Sequence, residues 1–254
     1  MIKNLLNMWV LALVLGVPLS ASAGGTVLFY DPFTVSNRLL TNEYAYWNSY
    51  STTAKRDPYW EMTSGSLFAL NDAGWTGTIS HCSPNATSSN CTDSAVFRLN
   101  TKNFNYGNVN VGFHLLQIGL GSTSYTPPVA WDGVHIFLRY QSEYNLYYAS
   151  VNRRDGSVVI KKKCKGGSTN GGTYYTLASR SGYPIPFGVW QSVSASAINL
   201  SSSAVNLRLY RNGVQLLSVN DYGKVGCPAI VHAGATGIRG DNDNFLFDNF
   251  TVVG

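Results

Sequence analysis

Segments in which apolar and polar residues alternate, separated by short turns, fill most of this chain and constrain it to β-structure. Residues 134–140 alternate in this way, and residues 145–153 and 157–164 follow directly. Asp155-Gly156 lies between the last two segments, and Asp-Gly between alternating segments is a strong signal for a β-hairpin. The sequence therefore predicts three consecutive antiparallel strands in this region.

The register of this hairpin decides which side chains share a face of the sheet. A two-residue Asp-Gly turn places Val151 opposite Ile160 and Ala149 opposite Lys162, whereas a three-residue loop with a bulge changes the register. With the two-residue turn, one face is polar, basic and aromatic, which suits a sugar or a polyanion. That face carries Tyr148, Ser150, Asn152, Lys161 and Lys163.

The rest of the chain has the same character. Residues 109–120 form a strand-like segment that contains the most apolar run after the N-terminus, FHLLQIGL at 113–120. Asn212-Gly213 joins residues 205–211 to 214–219 as a second hairpin signal. No segment shows a sustained 3.6-residue periodicity. These features predict an all-β fold, a two-sheet antiparallel β-sandwich or jelly roll. Because no linker-like change in composition occurs, we expect residues 24–254 to form a single domain.

The N-terminus has the three parts of a secretory signal peptide. Lys3 supplies the positive charge, residues 8–18 supply the apolar run, and Ala21-Ser22-Ala23 supplies a small-residue cleavage site. The apolar run is too short for a membrane span, which needs roughly 20 residues. We therefore expect a signal peptide over residues 1–23 and a protein secreted to the extracellular space or the periplasm.

Four cysteines in an exported chain suggest two disulfides. Cys82 and Cys91 bracket a short polar loop and are the natural local pair, which leaves Cys164 to pair with Cys227. Three connectivities are possible, and sequence proximity favours this one.

The charge balance favours acidic partners. Charged residues make up only 12% of the chain, and its net charge is +5. Lys161, Lys162, Lys163 and Lys165 concentrate much of this charge in one place, although lysines of this kind also protect exposed sheet edges. No nucleic-acid-binding motif accompanies the lysines, so we expect neither a nucleic-acid partner nor insertion into a membrane.

The second half of the chain contains, in this order, the motifs RYQSEYNLYY, GVWQSV, YRNG and a closing FDNFTV. Over roughly residues 133–253 this order resembles the concanavalin A-like jelly-roll superfamily, in particular laminin-G-like and 3-keto-glucoside-hydrolase-like domains. The resemblance implies a jelly roll, but this superfamily includes lectins, hydrolases, lyases and adhesion modules.

Two kinds of catalysis known in this superfamily can be compared with the sequence. Its β-glucanases use a Glu-x-Asp-x-Glu strand, and the glutamates here (Glu43, Glu61 and Glu143) do not form one, which excludes that mechanism. Its lyases neutralise a uronate carboxylate and move a proton with Tyr, His or Lys. The candidate residues for such a lyase are His135, Arg139, Tyr148 and Lys161.

Binding without catalysis requires less of the sequence and is the preferred hypothesis. Aromatic rings stack on sugars, and amides and cations bind hydroxyls and carboxylates. The chain is thus interpreted as recognising an acidic polysaccharide, with a lyase as the alternative and an adhesive or structural protein as the third possibility. The candidate ligand-binding residues are Trp131, Arg139, Tyr148, Asn152, Lys161 and Lys163.

The resemblance also implies a structural calcium ion away from the sugar-binding face. In related jelly rolls an aspartate on the final strand holds this ion together with carbonyl groups near the first strand. Asp248 and Asp31 match those positions. Calcium prefers six to eight oxygen ligands, and no other cofactor is expected.

Overall fold

A computed structural model describes residues 25–79 and 92–254. Within these ranges sixteen strands form two antiparallel sheets, and a single helical turn, α1, covers Tyr44–Trp47. None of the helical structure in the described ranges is long and apolar enough to cross a membrane.

The larger sheet has nine strands. They are β1 (Val27–Asp31), β2 (Arg38–Asn42), β4 (Ser66–Ala69), β5 (Gly74–Trp75), β7 (Val109–Leu120), β12 (Gln191–Ser201), β13 (Ala204–Arg211), β14 (Val214–Asp221) and β16 (Asp243–Val253). Their order is β14-β13-β12-β7-β16-β5-β4-β2, and β1 pairs with β16.

The smaller sheet has seven strands and carries the predicted hairpin. They are β3 (Trp60–Ser64), β6 (Val96–Thr101), β8 (Gly133–Ser142), β9 (Asn145–Arg153), β10 (Val158–Thr169), β11 (Gly172–Arg180) and β15 (Ala235–Asp241). Their order is β11-β10-β9-β8-β15-β6-β3, which places β8, β9 and β15 near the centre.

The two sheets enclose one apolar core, to which alternate residues of nearly every strand contribute. Its largest fully buried apolar side chains include Trp60, Phe97, Phe113, Phe245 and Phe247. The prediction of a two-sheet antiparallel β-sandwich is therefore confirmed.

Several predicted elements match the structure closely. The predicted bounds of β7 and β9 are the observed ones. In the second hairpin Arg211 pairs with Val214, and Asn212 and Gly213 have φ angles of 52° and 76°. Positive φ at both central residues is the signature of a type I′ turn, which the Asn-Gly pair predicted.

The predicted register of the β9–β10 hairpin is wrong by two residues. Ala149 lies opposite Ile160, and Tyr148 lies opposite Lys161. The turn is centred on Arg154-Asp155, and Gly156 follows it with a φ of 67°, a left-handed conformation that favours glycine. A shift of two residues keeps each side chain on its face, so Lys161 and Lys163 still project from the outer surface with Tyr148.

Two bulges move predicted site residues to the opposite side of this sheet. The β8–β9 register shifts between Leu138 and Ser142, and Arg139 within this bulge has a φ of 50°. Arg139 is 1% exposed and donates to the carbonyl oxygens of Val231 and Ala197, among others. The expected outward position of Arg139 is therefore wrong, because the bulge turns its guanidinium between the sheets.

Asn152 is the second such residue. The β8–β9 register also shifts between the pair Val134–Asn152 and the pair His135–Ser150. This bulge directs Asn152 inward, where it accepts a hydrogen bond from Arg211 at 2.7 Å and donates to Gln117 of the other sheet. The expected position of Asn152 on the outer face is also wrong.

The predicted pairing of Cys164 with Cys227 is confirmed by a disulfide with an S–S distance of 2.05 Å. This disulfide ties β10 to the loop after β14. Cys82 and Cys91, like the predicted signal peptide, lie outside the described residues.

Arg139→Met should destabilise the sandwich strongly. Arg139 donates hydrogen bonds to six acceptors, and Met would leave buried carbonyl and amide oxygens unpaired. We expect a loss of about 3 kcal/mol or more in the free energy of unfolding, measured by urea denaturation. The exposed Arg38→Met is the control and should change stability little; an equal effect of both substitutions would contradict the structural role of Arg139.

Candidate functional site

The outer face of the seven-stranded sheet carries a second cluster of buried residues, separate from the main core. It consists of Phe137, Tyr140, Leu146, Tyr148 and Ala235, with Tyr174 packed against it. An apolar face of this kind is normally exposed to solvent unless other side chains cover it. A second layer of side chains therefore covers this cluster on the outer face of the sheet, and we call the cluster the floor of the site.

His135 lies in this floor and is fully buried. Its ring stacks on Tyr148 with centroids 4.3 Å apart, its Nδ1 lies 3.0 Å from Ser150 Oγ, and its Nε2 lies 3.1 Å from Asp241 Oδ2. Burial lowers the pKa of His135 to about 4, although Asp241 opposes this shift. The ring is therefore neutral near pH 7, and because an ionised carboxylate can only accept, Nε2 carries the proton.

Arg239 and Asp241 form the layer above the floor. The Arg239 Nε and Nη2 atoms donate to the two Asp241 carboxylate oxygens at 2.7 and 2.8 Å, and its Nη1 donates to the Tyr174 hydroxyl at 2.9 Å. The guanidinium carbon also lies 5.9 Å from the centre of the Tyr148 ring. Arg239 and Tyr174 therefore cover Tyr148, which is only 3% exposed.

The contact between Arg239 and Tyr174 also shows that this sheet is curved. The two residues belong to β15 and β11, which are four strand positions apart. In a flat sheet that separation is roughly 19 Å, too far for direct contact. The sheet must therefore curve so that its outer face is concave, and side chains from distant strands converge there.

A shallow pocket opens in this concave face. Its lining is apolar at Phe137, Tyr140, Leu146 and Tyr174, and charged or polar at Arg98, Glu143, Lys163, Thr169, Asn170 and Arg239. Its volume of about 20 Å³ suits one water molecule, so a larger ligand would place only one substituent in it. The pocket can therefore hold a small charged group, with the rest of the ligand lying across the opening.

Lys163 is the least compensated charge in this pocket. It is 2% exposed, and its ammonium group lies 4.8 Å from the centre of the Tyr174 ring. Within residues 25–79 and 92–254 no hydrogen-bond acceptor or ion-pair partner contacts it. Burial, together with Arg239 and Arg98, lowers the pKa of Lys163 to about 8 although Glu143 opposes this shift, so the group is mostly a cation at neutral pH.

Arg98 and Glu143 complete the polar part of the pocket. Arg98 Nη1 and Glu143 Oε1 are 3.7 Å apart, longer than a hydrogen bond. Glu143 lies in the turn between β8 and β9, and both side chains are about one-fifth exposed. Neither group is fully neutralised by the other, so both remain able to bind a ligand.

The structure brings together four of the seven residues that the sequence suggested for ligand binding or catalysis. His135, Tyr148, Lys161 and Lys163 share the concave face. Arg139 and Asn152 lie between the sheets, as described above. Trp131 is 47% exposed in the loop before β8 and lies off the sheet face.

Arg98, Arg239 and Glu143 were missed by the sequence reasoning. Arg98 alternates with the core residues Phe97 and Leu99, which is a signal for an outward side chain on β6. Arg239 follows the core residue Ile238 on β15, which gives the same signal. Their convergence depends on the pairing of β15 with β6 and β8, which the sequence does not give.

Asp31 and Asp248, the residues suggested for calcium, lie on the paired strands β1 and β16. Asp31 accepts hydrogen bonds from the Phe33 amide and the Trp60 indole, and Asp248 accepts from the Asn249 amide and side chain. Among the described residues no three His, Cys, Asp or Glu side chains cluster as metal ligands. A calcium ion here would depend on backbone carbonyls, and the site stays a prediction.

Comparison with known proteins identifies the fold. No protein-family model and no curated protein matches the sequence. Among solved structures, a protein of unknown function with a galectin-like fold from Bacillus subtilis matches with a TM-score of 0.57 and 13% identity, over 90% of this chain and 96% of that one. The catalytic domain of an endo-1,3-β-glucanase (laminarinase) from Thermotoga petrophila matches with a TM-score of 0.51 and 9% identity, over 91% and 98%.

The metal-free carbohydrate recognition domain of Emp46p matches with a TM-score of 0.50 and 10% identity, over 89% of this chain and 98% of that one. At these identities the likeness shows the fold alone. The predicted two-sheet jelly-roll fold is thereby confirmed.

His135 should not titrate as an ordinary histidine. Unfolding exposes the ring, and its pKa then returns to about 6.5. Because the unfolded chain binds a proton more readily, the contribution of His135 to the free energy of unfolding falls as the pH drops from about 6.5 to about 4. In an NMR titration its ring signals should stay unchanged from about pH 7 to about pH 5. These signals are assigned to His135 by their loss from the spectrum of the His135→Gln variant. A midpoint near 6.5 would contradict the buried, neutral ring.

Proposed function

We propose that this protein binds an acidic polysaccharide, with one anionic group of the glycan held by Lys163, Arg98 and Arg239 in the concave face. The observation that carries the proposal is the Lys163 ammonium, which is buried and flanked by two guanidinium groups. In the described chain no hydrogen bond or ion pair reaches it, and Glu143 attracts it only from a longer distance. A buried, unpaired cation is unfavourable, and a carboxylate or sulfate would compensate it through charge-assisted hydrogen bonds.

The surroundings of these cations support a sugar as the carrier of the anionic group. Phe137, Tyr140 and Tyr174 line the pocket, and aromatic walls of this kind contact the apolar faces of sugar rings. Asn170 is an exposed amide at the rim that can bond hydroxyls. The fold is also that of a carbohydrate recognition domain and of a laminarinase, which supports glycan recognition by analogy.

The geometry favours binding over cleavage by β-elimination. A lyase needs a base that reaches the sugar, but His135 is fully buried and bonded to Asp241 and Ser150. Burial raises the pKa of Tyr148 well above its usual value, which makes its deprotonation harder. Arg139, suggested as the group that neutralises the uronate, lies between the sheets.

We also propose that the protein works outside the cytoplasm. The disulfide between Cys164 and Cys227 supports this, because such bonds persist in oxidising compartments. The predicted signal peptide gives the same location. N-terminal sequencing of the protein recovered from its host would test it; cleavage after Ala23 is expected, and an intact Met1 in the recovered protein would contradict it.

Lys163→Met should abolish most of the binding to acidic glycans without destabilising the fold. A hydrogen bond to a charged group contributes about 1.5–3 kcal/mol, so affinity should fall about 10- to 100-fold. The panel comprises alginate, glucuronan, ulvan and pectin oligosaccharides, and isothermal titration calorimetry is the measurement. Lys165→Met is the matched control, since Lys165 lies on the same strand but is exposed, and it should change affinity less than about twofold.

Three results would oppose the proposal. Equal losses in both lysine variants would indicate a diffuse charge effect. Absence of binding to every glycan in the panel would favour an adhesive or structural role. An unsaturated product that absorbs in the ultraviolet would establish the lyase alternative.

Affinity should also fall as the pH rises above about 8. The Lys163 ammonium loses its proton near that value, while the glycan carboxylate stays ionised throughout. Calorimetry from about pH 6.5 to about pH 9.5 should show a progressive loss of affinity, and proton uptake on binding near pH 8. The residual binding of Lys163→Met should not depend on pH in this range; a flat profile for the wild-type protein would contradict the role of Lys163.

A further inference from the structure

We infer that Glu143 is a specificity-determining residue, which makes the pocket select a uronate that carries free ring hydroxyls besides its carboxylate and reject polysulfated glycans. This inference rests on the proposed function, because it concerns the anionic group held by Lys163, Arg98 and Arg239. Glu143 is the one carboxylate that lines the pocket beside these cations within the described chain.

The first observation is that Glu143 lacks a hydrogen-bond donor. Its Oε1 atom is buried and has no hydrogen-bond partner, since Arg98 Nη1 lies 3.7 Å away. A buried acceptor left unpaired costs about 1–3 kcal/mol. A ligand that fills this pocket therefore gains by presenting a hydroxyl or another donor to Glu143 at the same time as an anion to Lys163.

The second observation is the charge balance of the pocket. Lys163, Arg98 and Arg239 line the pocket with three positive charges, and Glu143 lines it with one negative charge. Asp241 lies outside the lining but forms an ion pair with Arg239, and Lys161 shares the face without lining the pocket. Both carboxylate oxygens of Asp241 already accept hydrogen bonds from Arg239, from its Nε and Nη2 atoms. One net positive charge remains, which matches a single monoanionic group.

The two observations define the ligand chemistry together. A uronate ring carries one carboxylate and free hydroxyl groups, so it offers an anion to Lys163 and a donor to Glu143. A polysulfated sugar replaces those hydroxyls with sulfates, which bring more negative charge and no donor to Glu143. Like-charge contact in a partly desolvated site is repulsive, and this repulsion is a means of rejecting the wrong ligand.

The experiment compares wild-type protein with Glu143→Gln on two kinds of probe at equal ionic strength. The probes are oligouronates (galacturonate, glucuronate and alginate) and dextran sulfate oligosaccharides of similar length. The wild-type protein should bind at least one oligouronate about tenfold or more tighter than dextran sulfate. Glu143→Gln removes the repulsion, so the preference should fall to about threefold or less, mainly through tighter binding of dextran sulfate.

Glu61→Gln is the matched control, because Glu61 lies on β3 of the same sheet and does not line this pocket. It should leave the preference unchanged. A second measurement uses the wild-type protein alone, with partly O-acetylated oligogalacturonate, whose carboxylates remain while hydroxyl donors are blocked. We expect O-acetylation to weaken binding about threefold or more if oligogalacturonate is bound.

The possible failures are distinguishable. If the wild-type protein binds neither oligouronates nor dextran sulfate, the proposed function itself fails. If it binds both probes equally, or if Glu143→Gln keeps the wild-type preference, anion binding stands and the role of Glu143 is overturned. If Glu61→Gln changes the preference as much as Glu143→Gln, the selectivity comes from the net charge of the whole face.

Discussion

Burial of aromatic and aliphatic side chains between the two sheets is the constraint on which the rest of this structure depends. Phe97 comes from β6 of the seven-stranded sheet, and Phe113, Phe245 and Phe247 come from β7 and β16 of the nine-stranded sheet. All four side chains are fully buried in the same core. Because side chains alternate along a strand, each inward phenylalanine forces its neighbours outward. The outward set on the seven-stranded sheet includes the arginines, lysines and aromatic residues that form the pocket. Packing of the core thus determines which side chains project from the outer face of the seven-stranded sheet and form the site.

Within the concave face, Asp241 organises the layers. Its carboxylate accepts two hydrogen bonds from Arg239 and one from His135. The Arg239 guanidinium and the histidine N–H hold the pKa of Asp241 well below its usual value despite burial. Arg239 is thereby fixed above Tyr148 and can also donate to Tyr174. The histidine that looked like a base in the sequence is a hydrogen-bonded support beneath the binding surface. Lys163 is the buried cation that lacks a direct partner, and the anionic group of a ligand can compensate its positive charge.

The sequence was most informative where local chemistry decides the structure. Asn212-Gly213 predicted its type I′ turn because few other residues adopt positive φ, and the alternation of β9 gave its bounds. The outward face of Lys161 and Lys163 was also correct, although the turn is centred one residue earlier than expected. The bulges at Arg139 and Asn152 could not be predicted, since they depend on pairing with β15 and on acceptors far along the chain. For the same reason, Arg98 and Arg239 became visible as site residues only through the curvature of the folded sheet.

Three of the residues that suggested a lyase have structural roles here, because His135, Tyr148 and Arg139 are buried and do not reach a bound sugar. The most direct measurement is a crystal structure of the protein with an acidic oligosaccharide. The account predicts a sugar carboxylate within hydrogen-bond distance of the Lys163 ammonium, between Arg98 and Arg239, with the sugar chain lying across the concave face. A glycan bound instead on the nine-stranded sheet or at the loop of Trp131, with the Lys163 pocket empty, would contradict it.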